Sequence, residues 1–125
     1  MAERDLKGRR ILIVEDEYLI ADDLAKAIGQ AGGEVIGPIP TIEDANRMIQ
    51  QDGAIDAAVL DVNLRGDMVF PVADALAARN VPFLLATGYD EWMLPDRFLD
   101  ARRLEKPLKG AKVVASLAEL LADPV

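Results

Sequence analysis

The chain contains no cysteine. That excludes disulfide cross-links and thiolate metal sites, and it fits a reducing compartment. No apolar run approaches the roughly 18 residues that indicate a membrane-spanning helix. The opening stretch MAERDLKGRR has no apolar core and does not read as a secretory signal. These absences make a cytoplasmic location, away from any membrane, the expectation. Positive charge is short: 14 Lys and Arg against 22 Asp and Glu leave a net charge of −8. A nucleic-acid surface would need a basic face, so none is expected. Repeats, low-complexity tracts and a linker are also missing, so the 125 residues are expected to form one domain, 1–125.

What is present is a soluble, globular composition, 51% hydrophobic and 29% charged, enough for a real core. Short apolar runs alternate with helical patterns five times. Strands are expected at 10–14, 35–39, 55–61, 82–87 and 102–105. The runs of four apolar residues are those of strands buried on both faces, hence of a parallel sheet. The first helix is expected at 17–31, with Ile20, Leu24 and Ile28 at four-residue spacing and Gly32-Gly33 as its stop. A second runs to 51 from Thr41, where Asp44 three residues on suggests a capped start. The third starts at Phe70 or Pro71, proline being tolerated in a first turn, and runs to 79. The last covers 109–122. In between, 89–101 carries Trp92, Met93, Leu94 and Phe98, but Pro95 at its midpoint breaks a helix interior. A loop or a short, irregular fourth helix is expected there.

The strand ends carry the chemistry. Ile11-Leu12-Ile13-Val14 ends in Glu15-Asp16, Ala57-Ala58-Val59-Leu60 ends in Asp61, and Phe83-Leu84-Leu85-Ala86 ends in Thr87. The fifth strand ends in Lys106-Pro107. Ligands of open α/β sheets bind outside the carboxyl ends of the strands, so these residues are expected to share one site. Clustered carboxylates repel unless a cation is present, and Mg²⁺ suits one or two carboxylates with water and phosphate oxygens. Mn²⁺ or Ca²⁺ would serve the same donors. Asp61 is the candidate nucleophile toward a phosphoryl donor, giving an aspartyl phosphate, with Lys106 and Thr87 taking phosphoryl oxygens. Taken singly, each residue has a plainer explanation. Glu17 is a candidate helix cap, Asp61 a turn residue, Thr87 a β-branched strand residue and Lys106 a surface charge. Their conjunction at four strand ends, in this order, favours the site.

With these residues in place the chain resembles a response regulator receiver domain, and the resemblance covers nearly its whole length. It implies a flavodoxin-like, doubly wound five-stranded parallel sheet of order 2-1-3-4-5, with no output domain attached. It also implies transfer of a phosphoryl group from a kinase phosphohistidine to Asp61. Asp16, Asp61 and the Asn63 carbonyl would hold Mg²⁺, with Glu15 reaching it directly or through water, and the Lys106-Pro107 peptide would be cis. Two departures stand out. Arg103 occupies the position, three before the lysine, where relatives carry Tyr or Phe, and Arg65-Gly66 replaces the usual proline region after Asp61. Pro82-Phe83-Leu84-Leu85-Ala86-Thr87-Gly88-Tyr89 is similar to the motif of the FAT GUY subgroup of single-domain receivers, with Leu85 where that motif has Phe. That likeness implies histidine kinases of the HWE type, or a histidine phosphotransfer protein, as partners of a monomer or weak dimer. It also accords with an irregular fourth helix. Gly88 would leave room for the phosphoryl group and Tyr89 would shield it, while reordering of 87–101 would carry the signal. The alternative for the apolar residues of that segment is ordinary core packing.

Two rival functions stand beside this one. A haloacid-dehalogenase-type phosphatase uses a similar strand-end Asp, Mg²⁺, Thr and Lys, but needs a second Asp two residues on, where Asn63 stands. A phosphorylation-independent binding module of the same fold usually lacks one of the site residues, and here all are present.

Overall fold

The computed structural model describes residues 5–88 and 94–122. Five strands form one parallel sheet: Arg10–Val14 (β1), Glu34–Ile39 (β2), Ala57–Asp61 (β3), Phe83–Thr87 (β4) and Arg103–Glu105 (β5). Their order across the sheet is β2-β1-β3-β4-β5, the doubly wound arrangement that the resemblance implies. Four helices flank it: Tyr18–Gln30 (α1), Ile42–Gln51 (α2), Phe70–Ala78 (α3) and Gly110–Ala122 (α4). None of the helices among the described residues is long and apolar enough to cross a membrane.

The period of two along each strand divides the core. Leu12, Val14, Ala58, Leu60 and Leu85 face α2 and α3, where Ala45, Ile49, Val72, Ala73 and Leu76 are buried. Ile11, Ile13, Ala57, Val59 and Leu84 face α1 and α4, meeting Leu24, Ile28, Val113, Val114 and Leu117. A fully buried Leu, Ile or Val contributes about 1.5–3 kcal/mol, so the central strands anchor the fold from both sides. Their polar carboxyl ends are thereby held on a rigid base.

Element ends differ from expectation for local reasons. The β3 ladder starts at Ala57 rather than at 55, because the Asp56 carboxylate takes the Arg10 N–H at 2.7 Å in place of a backbone acceptor. Thr41 caps α2 as read, its hydroxyl accepting the Asp44 N–H at 3.2 Å. Glu17 lies at the N-cap position of α1, yet its side chain makes no capping bond. Instead the Glu15 carboxylate accepts the Glu17 N–H at 3.1 Å. The peptides Lys106-Pro107 and Gly37-Pro38 are both cis.

Of the segment between β4 and β5, Tyr89, Trp92 and Met93 lie outside the described residues. The described part holds one 3₁₀ turn, Asp96–Phe98, and Pro95 sits just ahead of it. Leu94 and Phe98 are core residues. The Phe98 ring stacks on Phe70 with centroids 5.5 Å apart and meets Phe83 edge-on at 6.0 Å. Arg97 closes over Phe98, 4.7 Å from the ring centroid, and its guanidinium donates two bonds to Asp74 of α3 at 2.8 and 3.0 Å. Leu94 and Phe98 thus pack here as the core-packing alternative has it.

The two helices on one face meet closely where α4 begins. A Cβ on Gly110 would lie 2.7 Å from the Cβ of Ala27, and neither backbone can yield without moving a helix. Gly110→Val is expected to lower unfolding free energy in urea by about 1–3 kcal/mol, the usual cost of overpacking.

Candidate functional site

Register brings the polar strand ends together. Because Val14 pairs with Leu60, the residues that follow, Glu15 and Asp61, are neighbours. Asp61 pairs in turn with Ala86, one residue short of Thr87, and Thr87 pairs with Glu105, one residue short of Lys106. The Lys106 N–H donates to the Thr87 carbonyl at 2.8 Å, which fixes where the lysine leaves β5. Glu15, Asp61 and Thr87 are the buried polar residues among those described.

The contacts within the site are short. The Lys106 ammonium lies 3.0 Å from both Asp61 oxygens, although only 1% of the Asp61 side chain is exposed. One carboxylate oxygen from each of Glu15, Asp16 and Asp61 lies within 4.8 Å of the other two. Burial, and next the hydrogen bond with Asp61, push the Glu15 carboxyl up to about 8, against the Glu17 N–H and Lys106, which favour its charge. Asn63 donates its N–H to Asp61 Oδ1 at 3.2 Å, placing the loop directly over the carboxylate. The Thr87 hydroxyl makes a long contact to the Leu104 carbonyl at 3.4 Å, weak enough to be exchanged for a better acceptor.

One element was not read from the sequence. Asn63–Leu64 and Asp67–Met68 form a small antiparallel ribbon. Its tip is Arg65-Gly66, at φ 54° and 96°, the left-handed pair of a two-residue hairpin. The Gly66 N–H donates to the Asn63 side-chain oxygen at 2.5 Å and holds the tip in place. The ribbon returns Arg65 toward β1, and its Nε donates to Asp16 Oδ2 at 3.0 Å. A non-glycine residue followed by Gly between two short extended pieces was the available signal. Two-residue strands are too short for an alternation pattern to reveal.

The donor set suits a hard divalent cation. All donors are oxygen, and the sequence has neither histidine nor cysteine to attract a softer metal. Adjacent ligands of an octahedral Mg²⁺ are about 3.0 Å apart, so oxygens within 4.8 Å of one another are close enough to be drawn onto one ion by side-chain rotation. Glu15, Asp16 and Asp61 are therefore the residues that could hold such an ion, with Asn63 above them. Next to Thr87 opens a cavity of about 680 Å³, lined in part by Gly88, Arg103, Lys109 and Lys112. Arg103, in the place of the usual aromatic residue, is exposed on this side.

No family model matches the chain. SdrG from Sphingomonas melonis Fr1 is 43% identical, aligned over 94% of this chain and 98% of that one with a TM-score of 0.79. The BeF₃-activated conformation of SdrG from Pseudomonas melonis Fr1 is 41% identical over 98% and 100%, with a TM-score of 0.75. The phyllosphere-induced regulator PhyR of Methylorubrum extorquens is 32% identical over 119 residues, 89% of this chain and 43% of that protein. The chain belongs to the response regulator receiver family. This receiver spans less than half the length of the curated relatives it matches. At 23% identity, a response regulator receiver protein from Sinorhizobium medicae WSM419 shares the fold, with a TM-score of 0.76 over 90% of this chain and 94% of that one.

Within this receiver the Asp61–Lys106 pair is unequal in its surroundings. The lysine side chain keeps 24% of its surface exposed, whereas the aspartate has almost none. Lys106→Met leaves a buried carboxylate among other acids and is expected to cost roughly 2–4 kcal/mol in urea unfolding, near the low end for breaking a buried pair. Asp61→Asn removes repulsion as well as attraction, so its cost is expected to be smaller. The double variant should recover part of the Lys106→Met loss; strict additivity would show that the two side chains do not interact.

Proposed function

We propose that this receiver accepts a phosphoryl group on Asp61 in a reaction that depends on a divalent cation, Mg²⁺ in the first instance. The observation that carries the reading is the ammonium of Lys106 set 3.0 Å from a buried Asp61, inside a carboxylate cluster at the sheet's carboxyl edge. A structural ion pair has no need of two further carboxylates beside it. A phosphoryl-accepting one does, because charge on the transferring group must be neutralised by several cations at once.

Glu15, Asp16 and Asp61, with the Asn63 carbonyl, would hold the cation, which when bound neutralises the transferring oxygens and orients them. The chain's own residues do the rest. Asp61 presents a carboxylate oxygen in line with the phosphorus; a P–O bond forms as the P–N bond of a phosphohistidine breaks, and the leaving imidazole takes up a proton. Lys106 follows the charge from the carboxylate onto a phosphoryl oxygen. Thr87, with only a weak contact to give up, turns its hydroxyl to another. These 125 residues contain no histidine, so the donor histidine lies outside them. The partner class is thus a histidine kinase or a histidine phosphotransfer protein. The domain works as a signalling element, relaying the group, draining it from a kinase or binding a target, and the BeF₃-activated conformation of the similar SdrG supports a reading in which the fold has a second, activated state.

Incubation with acetyl phosphate and Mg²⁺, followed by intact mass measurement, is expected to add one phosphoryl group to the native protein and none to Asp61→Asn. Absence of any adduct would favour a phosphorylation-independent binding module, and repeated turnover of the donor a phosphatase. Metal alone gives a second measurement. At a hundred times its dissociation constant, Mg²⁺ is expected to raise folding stability by about 2.7 kcal/mol, and EDTA should abolish the gain. Asp16→Asn is expected to lose most of it at the same concentration.

A further inference from the structure

We infer that Arg65 is a built-in competitor for the divalent cation: its guanidinium occupies Asp16 and must leave that carboxylate before the ion can use it fully. The inference rests on the cation site proposed above and concerns the residue that sets its affinity. Arg65 is not a loose surface side chain that happens to lie nearby. The left-handed Arg65-Gly66 tip, the Asn63–Gly66 bond and the ribbon pairing together fold it back across the loop to Asp16 Oδ2. The same loop begins with the Asn63 N–H on Asp61, so one short ribbon is tied to two of the three clustered carboxylates.

The asymmetry of the pair points to a displaceable cation rather than a structural bridge. Asp16 is nearly covered, with 9% of its side chain exposed, whereas Arg65 is 82% exposed. Releasing the guanidinium into water therefore uncovers almost no apolar surface and forces no rearrangement of the core. A divalent ion brings twice the charge to a distance of about 2.1 Å, so it prevails over a singly charged group at hydrogen-bond distance. The competition nonetheless has a cost. Ion pairs with one exposed partner are typically worth up to about 1 kcal/mol, which corresponds to as much as a fivefold change in a dissociation constant.

The test is calorimetric titration of MgCl₂ into the native protein and three variants at low, fixed ionic strength. Arg65→Asn places Asn-Gly at the tip, the pair this hairpin type prefers, so the ribbon is preserved while the cation is lost. Arg65→Lys keeps the charge without the guanidinium. Arg79→Ala removes one positive charge near the amino-terminal edge of the sheet, beside Asp56 and Asn80. The expected result is binding two- to fivefold tighter in Arg65→Asn, a smaller gain in Arg65→Lys and none in Arg79→Ala. In the native protein, the Arg65 Nε–H resonance should also shift as Mg²⁺ is added. Equal or weaker binding in Arg65→Asn overturns the inference while leaving the cation site intact, and an equal gain in Arg79→Ala overturns it by reducing the effect to net charge. No binding by the native protein or any variant overturns the cation site and the inference with it.

Discussion

Three carboxylates gathered at one sheet edge would repel one another strongly enough to threaten the fold, and the constraint that shapes this molecule is how that charge is met. Asp61 is met by Lys106 and Asp16 by Arg65. Glu15 is met differently: burial beside Asp61 drives its carboxyl up to about 8, so near neutral pH it is held mostly as the uncharged acid. The three solutions leave the cluster close to neutral without any of them being permanent. An ammonium can follow charge onto an incoming oxygen, a guanidinium can swing into water, and a proton can leave.

The rest of the fold serves to keep those groups in reach. Registers between β1, β3, β4 and β5 carry each polar residue to the same edge, and registers of buried strands cannot slip without inverting the core. Ile11 to Val14 and Ala57 to Leu60 are almost wholly buried on both faces of the sheet. A site built on them is more rigid than one built on loops alone. Among the described residues, the ribbon after Asp61 lies outside that base. The turn at 96–98 is held to α3 by Phe98 and by the Arg97–Asp74 bonds, which are external to the site.

Much of this was legible in the residues. The apolar runs with their polar stops give the strand order of the chemistry, because each run is buried on both faces and so cannot hide its end. Thr41 with Asp44 marks a helix start that the hydroxyl bond makes real. Glu17 was less legible. As a cap, Glu17 would accept an N–H from the first turn of α1; it accepts none, and its own N–H goes to Glu15 through a turn of chain that spacing alone does not determine. The ribbon and the Arg65–Asp16 contact were illegible for a related reason. Residues 49 apart in sequence meet through a reversal only two residues long, with no periodicity to announce it.

Arg65 and Lys106 also show why position matters more than charge. Both are cations on acids of the same cluster, yet they differ in where they are rooted. Lys106 emerges from a strand end whose backbone is bonded to Thr87, so the root of its side chain is fixed while its ammonium reaches from the Asp61 carboxylate to an adjoining oxygen. Arg65 hangs from a hairpin tip in solvent, bonded to the protein mainly through the carboxylate it covers. A rooted cation suits a role in which charge must be stabilised at a fixed point during transfer. A cation held by one exposed ion pair suits a role in which the carboxylate must be covered at one time and open at another.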